Sequence, residues 1–238
     1  MKNDSTELRQ VAAAQAPRLD MYAGIHKAVR AMMADTLLAV GRMDADDEPE
    51  LAQVTERVMQ LLDFCSSHLA HENEFLHPAI EARAAGASDR IAHEHEGHVG
   101  HIAALAAGVA ALRATPAGER FGVAQTFYRE LSLFVAENFE HMNVEETAHN
   151  AVLWARYTDA ELGALHDRLV GSIPPAEMML VARWMVPFMN PAERAGMLGG
   201  VKAKAPAPAF QAILDTVRPH LAQAEWAKLA RALDLPAA

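Results

Sequence analysis

Two copies of a His-x-x-x-Glu element, His68-Leu-Ala-His-Glu72 and His141-Met-Asn-Val-Glu145, lie 73 positions apart on stretches rich in helix-forming residues. A spacing of four puts the imidazole and the carboxylate of each pair on one helix face, one turn apart. Each pair also continues an apolar stripe. Leu51, Val54, Val58, Leu61 and Cys65 lead to His68 and Glu72, and Phe127, Leu131 and Phe134 lead through Asn138 to His141 and Glu145. An apolar interior rejects both groups unless something offsets their desolvation, and for converging His and Glu the usual compensator is a bound metal ion.

Two further segments offer histidine to the same interior. His26 shares its side of a helix with Tyr22, Val29 and Met33. The segment Ala92–His101 holds four histidines, and the face defined by Ile91, Ile102, Leu105 and Val109 is centred close to His98. His95 and His101 fall about 60° to either side, at 100° per residue, and His93 points away. His98 is therefore the first candidate, with His95 beside it and Glu94 one turn earlier. His71, His77 and His149 are expected off the central seam.

One inward imidazole is commonly a core residue bonded to a carbonyl, and an isolated His-x-x-x-Glu pair is ordinarily solvated. Four helices each presenting histidine, two of them adding glutamate, is a different situation: burying so many polar groups without a cation would cost several kcal/mol. The candidate metal ligands are His26, His68, Glu72, His95, His98, His141 and Glu145. Imidazole and carboxylate without thiolate suit iron or manganese, with zinc as an alternative, and two shared carboxylates suit two ions. Cys65 reads as a small core residue.

The elements that must position these groups are all helical. Ala, Leu, Met and Glu are abundant, and no segment alternates with period two for long enough to form a strand. Residues 19–41 form a first helix, about 50–84 a second, 88 or 89 to about 113 a third capped by Ser88 or Asp89, and about 120–157 a fourth. Short connections make sequential helices antiparallel, so the expected fold is all-α: an up-down-up-down four-helix bundle over 19–157, after an N-terminal extension 1–18. From residue 158 to 238, prolines at 174, 175, 191, 206 and 208 divide the chain into shorter helices of a smaller subdomain. Asn190-Pro191-Ala192-Glu193 reads there as N-cap, first-turn proline and returning carboxylate. The apolar stripe with Trp184, Met185, Phe188, Met189 and Trp226 is expected to pack as core, docking on the bundle or making a homodimer contact. His166 and His220 are expected at the surface.

With 238 residues, 51% of them hydrophobic, the chain can bury a substantial core. No stretch approaches the roughly 18 apolar residues of a membrane span. A net charge of −10 argues against nucleic acid and anionic membrane as partners. A lone cysteine excludes an internal disulfide framework and fits a reducing compartment, so a cytoplasmic location is expected.

Taken together, the solitary His26, His68-x-x-x-Glu72 followed by Asn-Glu-Phe-Leu-His-Pro78, the His-rich entry to the third helix and His141-x-x-x-Glu145-Glu146 resemble the hemerythrin-like, or HHE-domain, family. The resemblance covers residues 19–157. It implies a non-haem centre of two iron ions joined by an oxo or hydroxo bridge, with His26, His68, His98 and His141 as terminal ligands and Glu72 and Glu145 bridging. It also implies that O₂, peroxide or nitric oxide binds at an open iron position. Oxygen-carrying members place two histidines four apart on the third helix, and their fourth-helix carboxylate usually follows its histidine by five. Here the pairs 95/98 and 98/101 are three apart, and Glu145 follows His141 by four. This departure favours sensing, protection or redox chemistry over simple O₂ carriage. Two other classes stay open: an oxidase or oxygenase acting on an organic substrate, and an iron-responsive storage or regulatory protein acting through a protein partner.

Overall fold

The computed structural model describes residues 18–235, which contain helices and no strand. The expected first helix is α1, Ala23–Arg42. The second is α2, Glu48–His71, continued through a π-helical turn Glu72–Leu76 into α3, His77–Arg83. The third is α4, Asp89–Ala114. The fourth is α5, Arg120–Val144, continued through a second π turn Glu145–His149 into α6, Asn150–Arg156. The remainder forms α7, Asp159–Ser172; α8, Pro175–Met185; α9, Pro191–Lys204; α10, Ala207–Val217; and α11, Gln223–Ala232. None of the helices among the described residues is long and apolar enough to cross a membrane. Apart from Arg18, the expected N-terminal extension lies outside the described residues.

The chain divides into two compact units. Among the described residues, the first holds 18–23 together with Met32–Gly171. Its helix starts follow local chemistry: Asp47 caps α2 by accepting the Glu50 amide at 3.0 Å, with Pro49 in the first turn. Ser88 precedes α4 but does not cap it through its side chain; its hydroxyl donates to Glu81 Oε1 at 2.7 Å. Glu81 also accepts the amides of Gly86 and Ser88, and these bonds, led by the Ser88 hydroxyl, hold its carboxyl down at about 2. Gly86 has φ +78°, a conformation that costs a side chain dearly, so the turn that sets the start of α4 is specified at both its backbone and its polar partners.

Helix α4 packs against both α2 and α5. Its approach to α5 is close at Gly108, where a Cβ would stand 2.8 Å from the Phe127 ring. The far end of the unit is closed by Met21, Tyr22, Leu76, Ile80 and Leu153, and by Leu162 and Leu165 of α7. Arg18 ties this end together, with Nε on Asp159 at 2.7 Å and its guanidinium donating to the Trp154 and Tyr157 carbonyls. Helix α7 thus packs with the first unit although it begins beyond residue 157.

The second unit holds, among the described residues, 24–31 and 172–235. Ala182, Val186, Leu198, Phe210, Leu214, Val217, Leu229 and Leu233 form its core. The Asn190–Glu193 capping box is present, with the Asn190 side chain accepting the Ala192 and Glu193 amides at 3.0 Å. Trp184 is buried and stacks on Phe188, which is half-exposed. His220 is exposed and His166 half-buried.

Candidate metal centre

Both His-x-x-x-Glu elements end at the same kind of irregularity. Glu72 and Glu145 each open a π turn, in which the His77 amide bonds the Glu72 carbonyl and the Asn150 amide bonds the Glu145 carbonyl, an i→i+5 pattern. Such turns hold one more residue than a regular turn, so every side chain beyond them is rotated by about 100° from the phase that an unbroken helix would give. The residues before the π turns sit as the uniform helices predict: Glu72, His141 and Glu145 are buried, with His68 nearly so at 10% side-chain exposure. His77, just after the first turn, and His149, at the end of the second, depart from expectation. His77 and His149, expected off the seam, are buried at 7% and 1% exposure.

On α4, Ile91, His95, His98, Leu105, Val109 and Leu112 form the buried row, while His93 and His101 are exposed. At 100° per residue this row stays centred close to His98, and His95, about 60° to one side, is buried along with it. His101 instead meets Glu137 at the surface, 2.8 Å away.

One donor atom each from Glu72, His95, His141 and Glu145 gathers within 4.8 Å of the others. His95 Nε2 lies 3.5 Å from Glu72 Oε2 and 3.6 Å from Glu145 Oε1. His141 Nε2 lies 3.4 Å from Glu145 Oε2, and His68 Nε2 lies 3.3 Å from Glu72 Oε1. The two Nε2 atoms of His95 and His141 face each other at 3.0 Å. Their outer nitrogens are already committed: His95 Nδ1 donates to Asn73 Oδ1 at 2.8 Å, and His141 Nδ1 donates to Glu94 Oε2 at 3.0 Å.

This arrangement is the test of fit. A neutral imidazole whose Nδ1 carries the proton keeps a lone pair on Nε2. Two such lone pairs aimed at each other, with carboxylate oxygens around them, repel unless a positive charge stands in their midst. A proton serves that purpose in part: burial disfavours the charged ring, but bonding to Glu145 and to Glu94 outweighs it and raises the His141 pKa. A metal ion serves more of the donors at once, and the other ring nitrogens already hold the partners that orient a ligating histidine. Asn73 and Glu94 therefore take the outer role. Glu94 is itself steadied by Arg90 at 2.9 Å.

His98 stands beside this group. Its ring lies edge-on to His141, with centroids 4.7 Å apart, and its Nδ1 is buried without a hydrogen-bond partner. Burial, then the neighbouring rings of His141 and His95, push its pKa down to about 4. His26 is fully buried in residues 24–31, the part of α1 that groups with the second unit.

Sequence reasoning placed two neighbours off the seam that the structure brings to it. His77 stacks on His95 with centroids 4.8 Å apart. His149 packs edge-on to His77 and bonds the Tyr22 hydroxyl at 3.2 Å through Nδ1. Burial, then the charges of Glu145 and Glu72, hold the Tyr22 hydroxyl well above its ordinary pKa, so it stays neutral. The available signal was a second repeat: each Glu is followed by a histidine, five positions on for Glu72 and four for Glu145.

A family model described as the hemerythrin HHE cation binding domain matches residues 18–149, more than half of the 238. No match was found among curated proteins or among solved structures. The buried His and Glu groups and that match agree on the same stretch of chain: this protein belongs to the hemerythrin HHE cation-binding domain family.

Proposed function

We propose that this chain is a non-haem di-iron protein that binds or reacts with O₂, peroxide or nitric oxide in a sensing, protective or redox role. Helices α1, α2, α4 and α5 with their continuations make the up-down-up-down bundle around the centre, and the helices after α7 make a smaller subdomain. His26, His68, His95 and His141 would hold the two ions, with Glu72 and Glu145 as the shared carboxylates, and His98 lies in reserve beside His141. The observation that carries this assignment is the 3.0 Å approach of His95 Nε2 to His141 Nε2, both outer nitrogens being occupied. The place of His26 rests on its complete burial and on its helix.

Iron in this position supplies a redox couple and an open coordination site for a small diatomic ligand or peroxide. The chain's own residues do the rest. Glu94 and Asn73 fix which nitrogen of His141 and His95 faces inward. Leu131, Phe134 and Met142 are buried on the same helix as His141, and an apolar interior strengthens each electrostatic contact inside it. The single cysteine, Cys65, is buried, in keeping with a reducing compartment such as the cytoplasm.

Metal analysis of freshly purified protein tests this, followed by anaerobic reduction and exposure to O₂ or nitric oxide. About two irons per chain and a spectral change on exposure are expected. Zinc alone, with no response to either gas, overturns it. Net turnover of an organic compound with O₂ consumption would mark an oxygenase instead.

A further inference from the structure

Beyond the paired carboxylates lies a second layer of donors that the dinuclear assignment does not use. His77, from the first residue of α3, and His149, from the end of the second π turn, approach Glu145 so that one donor atom from each of the three falls within 4.8 Å of the others. All three side chains are more than nine-tenths buried. His77 Nε2 has no hydrogen-bond partner, which is costly for a buried ring nitrogen. His149 is oriented from outside by Tyr22, the arrangement in which a ligating histidine is usually held.

We infer that His77 and His149, with an oxygen of Glu145, form a third cation site directly beside the dinuclear centre, taking a first-row divalent transition ion. Three features support it. Two imidazoles and a carboxylate are a donor set for zinc, iron(II) or cobalt(II), and too rich in nitrogen for calcium or magnesium. The two rings converge, His149 packing edge-on to His77 with centroids 5.6 Å apart, so both imidazoles face one place beside Glu145. A carboxylate has about four lone-pair positions on its two oxygens, so Glu145 has the capacity to serve this ion as well as the pair. The His77 ring stacks on His95, which places the third site against the centre and not at the surface. Occupancy couples the two: a cation here adds positive charge next to the centre and restrains Glu145, so it should disfavour the more oxidised state of the pair.

The inference rests on the dinuclear reading through Glu145, and cobalt(II) titration of the metal-free protein separates the two. Optical absorption and bound metal are followed for the wild type and for the double variant His77→Gln/His149→Gln. The expected result is three bound cobalt ions per wild-type chain and two in the variant, whose spectrum keeps the features of the first two equivalents. Wild type saturating at two, with an unchanged endpoint in the variant, overturns the third site and leaves the dinuclear reading intact. Saturation at one or none overturns both. If the variant does not fold, the wild-type endpoint still decides, because a stoichiometry of two there removes the third site without reference to the variant.

Discussion

Glu94 accepts a hydrogen bond from His141 Nδ1 at 3.0 Å, reaching from α4 to α5. Arg90 holds the other side of the same carboxylate at 2.9 Å. Burial of Glu94 works against its charge, but the bonds from His141 and Arg90 prevail and lower its pKa, so it remains an acceptor at neutral pH. Glu94→Ala removes the group that fixes the His141 tautomer, and metal affinity should fall about 10–100-fold. Glu94→Gln, which can still accept, should lose less. Competition with a chelator measures both, and equal affinity in all three proteins contradicts this role.

Glu72→Ala or Glu145→Ala removes a carboxylate that the centre shares, and both ions should be lost. Stabilisation by ligand bound at about 100 times its Kd is about 2.7 kcal/mol, which corresponds to roughly 5–10 °C in a protein of this size. The thermal midpoint of each variant, compared with the metal-loaded wild type, should fall by about that much or more. His166→Ala, on half-buried α7, should keep its metal and its melting point. Identical behaviour of the three variants contradicts the assignment.

His77 and His98 are each held at about 4, chiefly by burial, against 6.5 for a free imidazole. Between those values the unfolded chain binds more protons than the folded one, so stability rises with pH there. The contribution is fully present above about pH 6.5 and is lost as pH falls toward 4. His141, raised by Glu145 and Glu94 despite burial, acts oppositely and loses its contribution as pH rises through its folded pKa. Thermal melts of the metal-free protein should therefore show a midpoint that drops steadily from pH 6.5 to 4, with a shallower drop in His98→Gln. A flat profile in the wild type counts against buried neutral rings.

The approach of α4 and α5 can be tested at two glycines, one on each helix. Gly108→Ala gains about 1 kcal/mol of helix propensity but places a Cβ 2.8 Å from the buried Phe127 ring, and overpacking typically costs about 1–3 kcal/mol. Gly122→Ala meets nothing within 4 Å. Denaturant unfolding should find the first variant less stable than wild type and the second more stable by up to about 1 kcal/mol. The reverse order would mean that α4 and α5 do not approach as described.

Helix positions were legible in the sequence because the apolar repeat and the punctuating Gly and Pro residues speak locally. The His-x-x-x-Glu faces followed from helical periodicity alone, and the buried Glu72, His141 and Glu145 stand where that periodicity puts them. Legibility stopped at the π turns. An i→i+5 backbone bond leaves no mark in side-chain pattern, so a uniform 100° per residue turned His77 outward when the structure turns it in; His149, four after Glu145, already shares that carboxylate's face at 100° per residue and was passed over. The balance between His95 and His98 was hidden for a different reason: Ile91, Leu105 and Val109 all lie within about 20° of His98 at 100° per residue, so the apolar markers gave no weight to His95. Tyr22 was visible as a neighbour of His26, but its bond to His149 joins residues 127 positions apart, a distance no local pattern spans.

The central claim is that Glu72 and Glu145, with the imidazoles around them, exist to hold a pair of metal ions. Anomalous diffraction from crystals of the metal-loaded protein, collected on both sides of the iron absorption edge, addresses it directly. Two iron peaks flanked by Glu72 and Glu145, one of them touching His95 and His141, are predicted. Crystals of iron-loaded protein in which the anomalous density lies elsewhere, or in which these side chains contact only water, would contradict it.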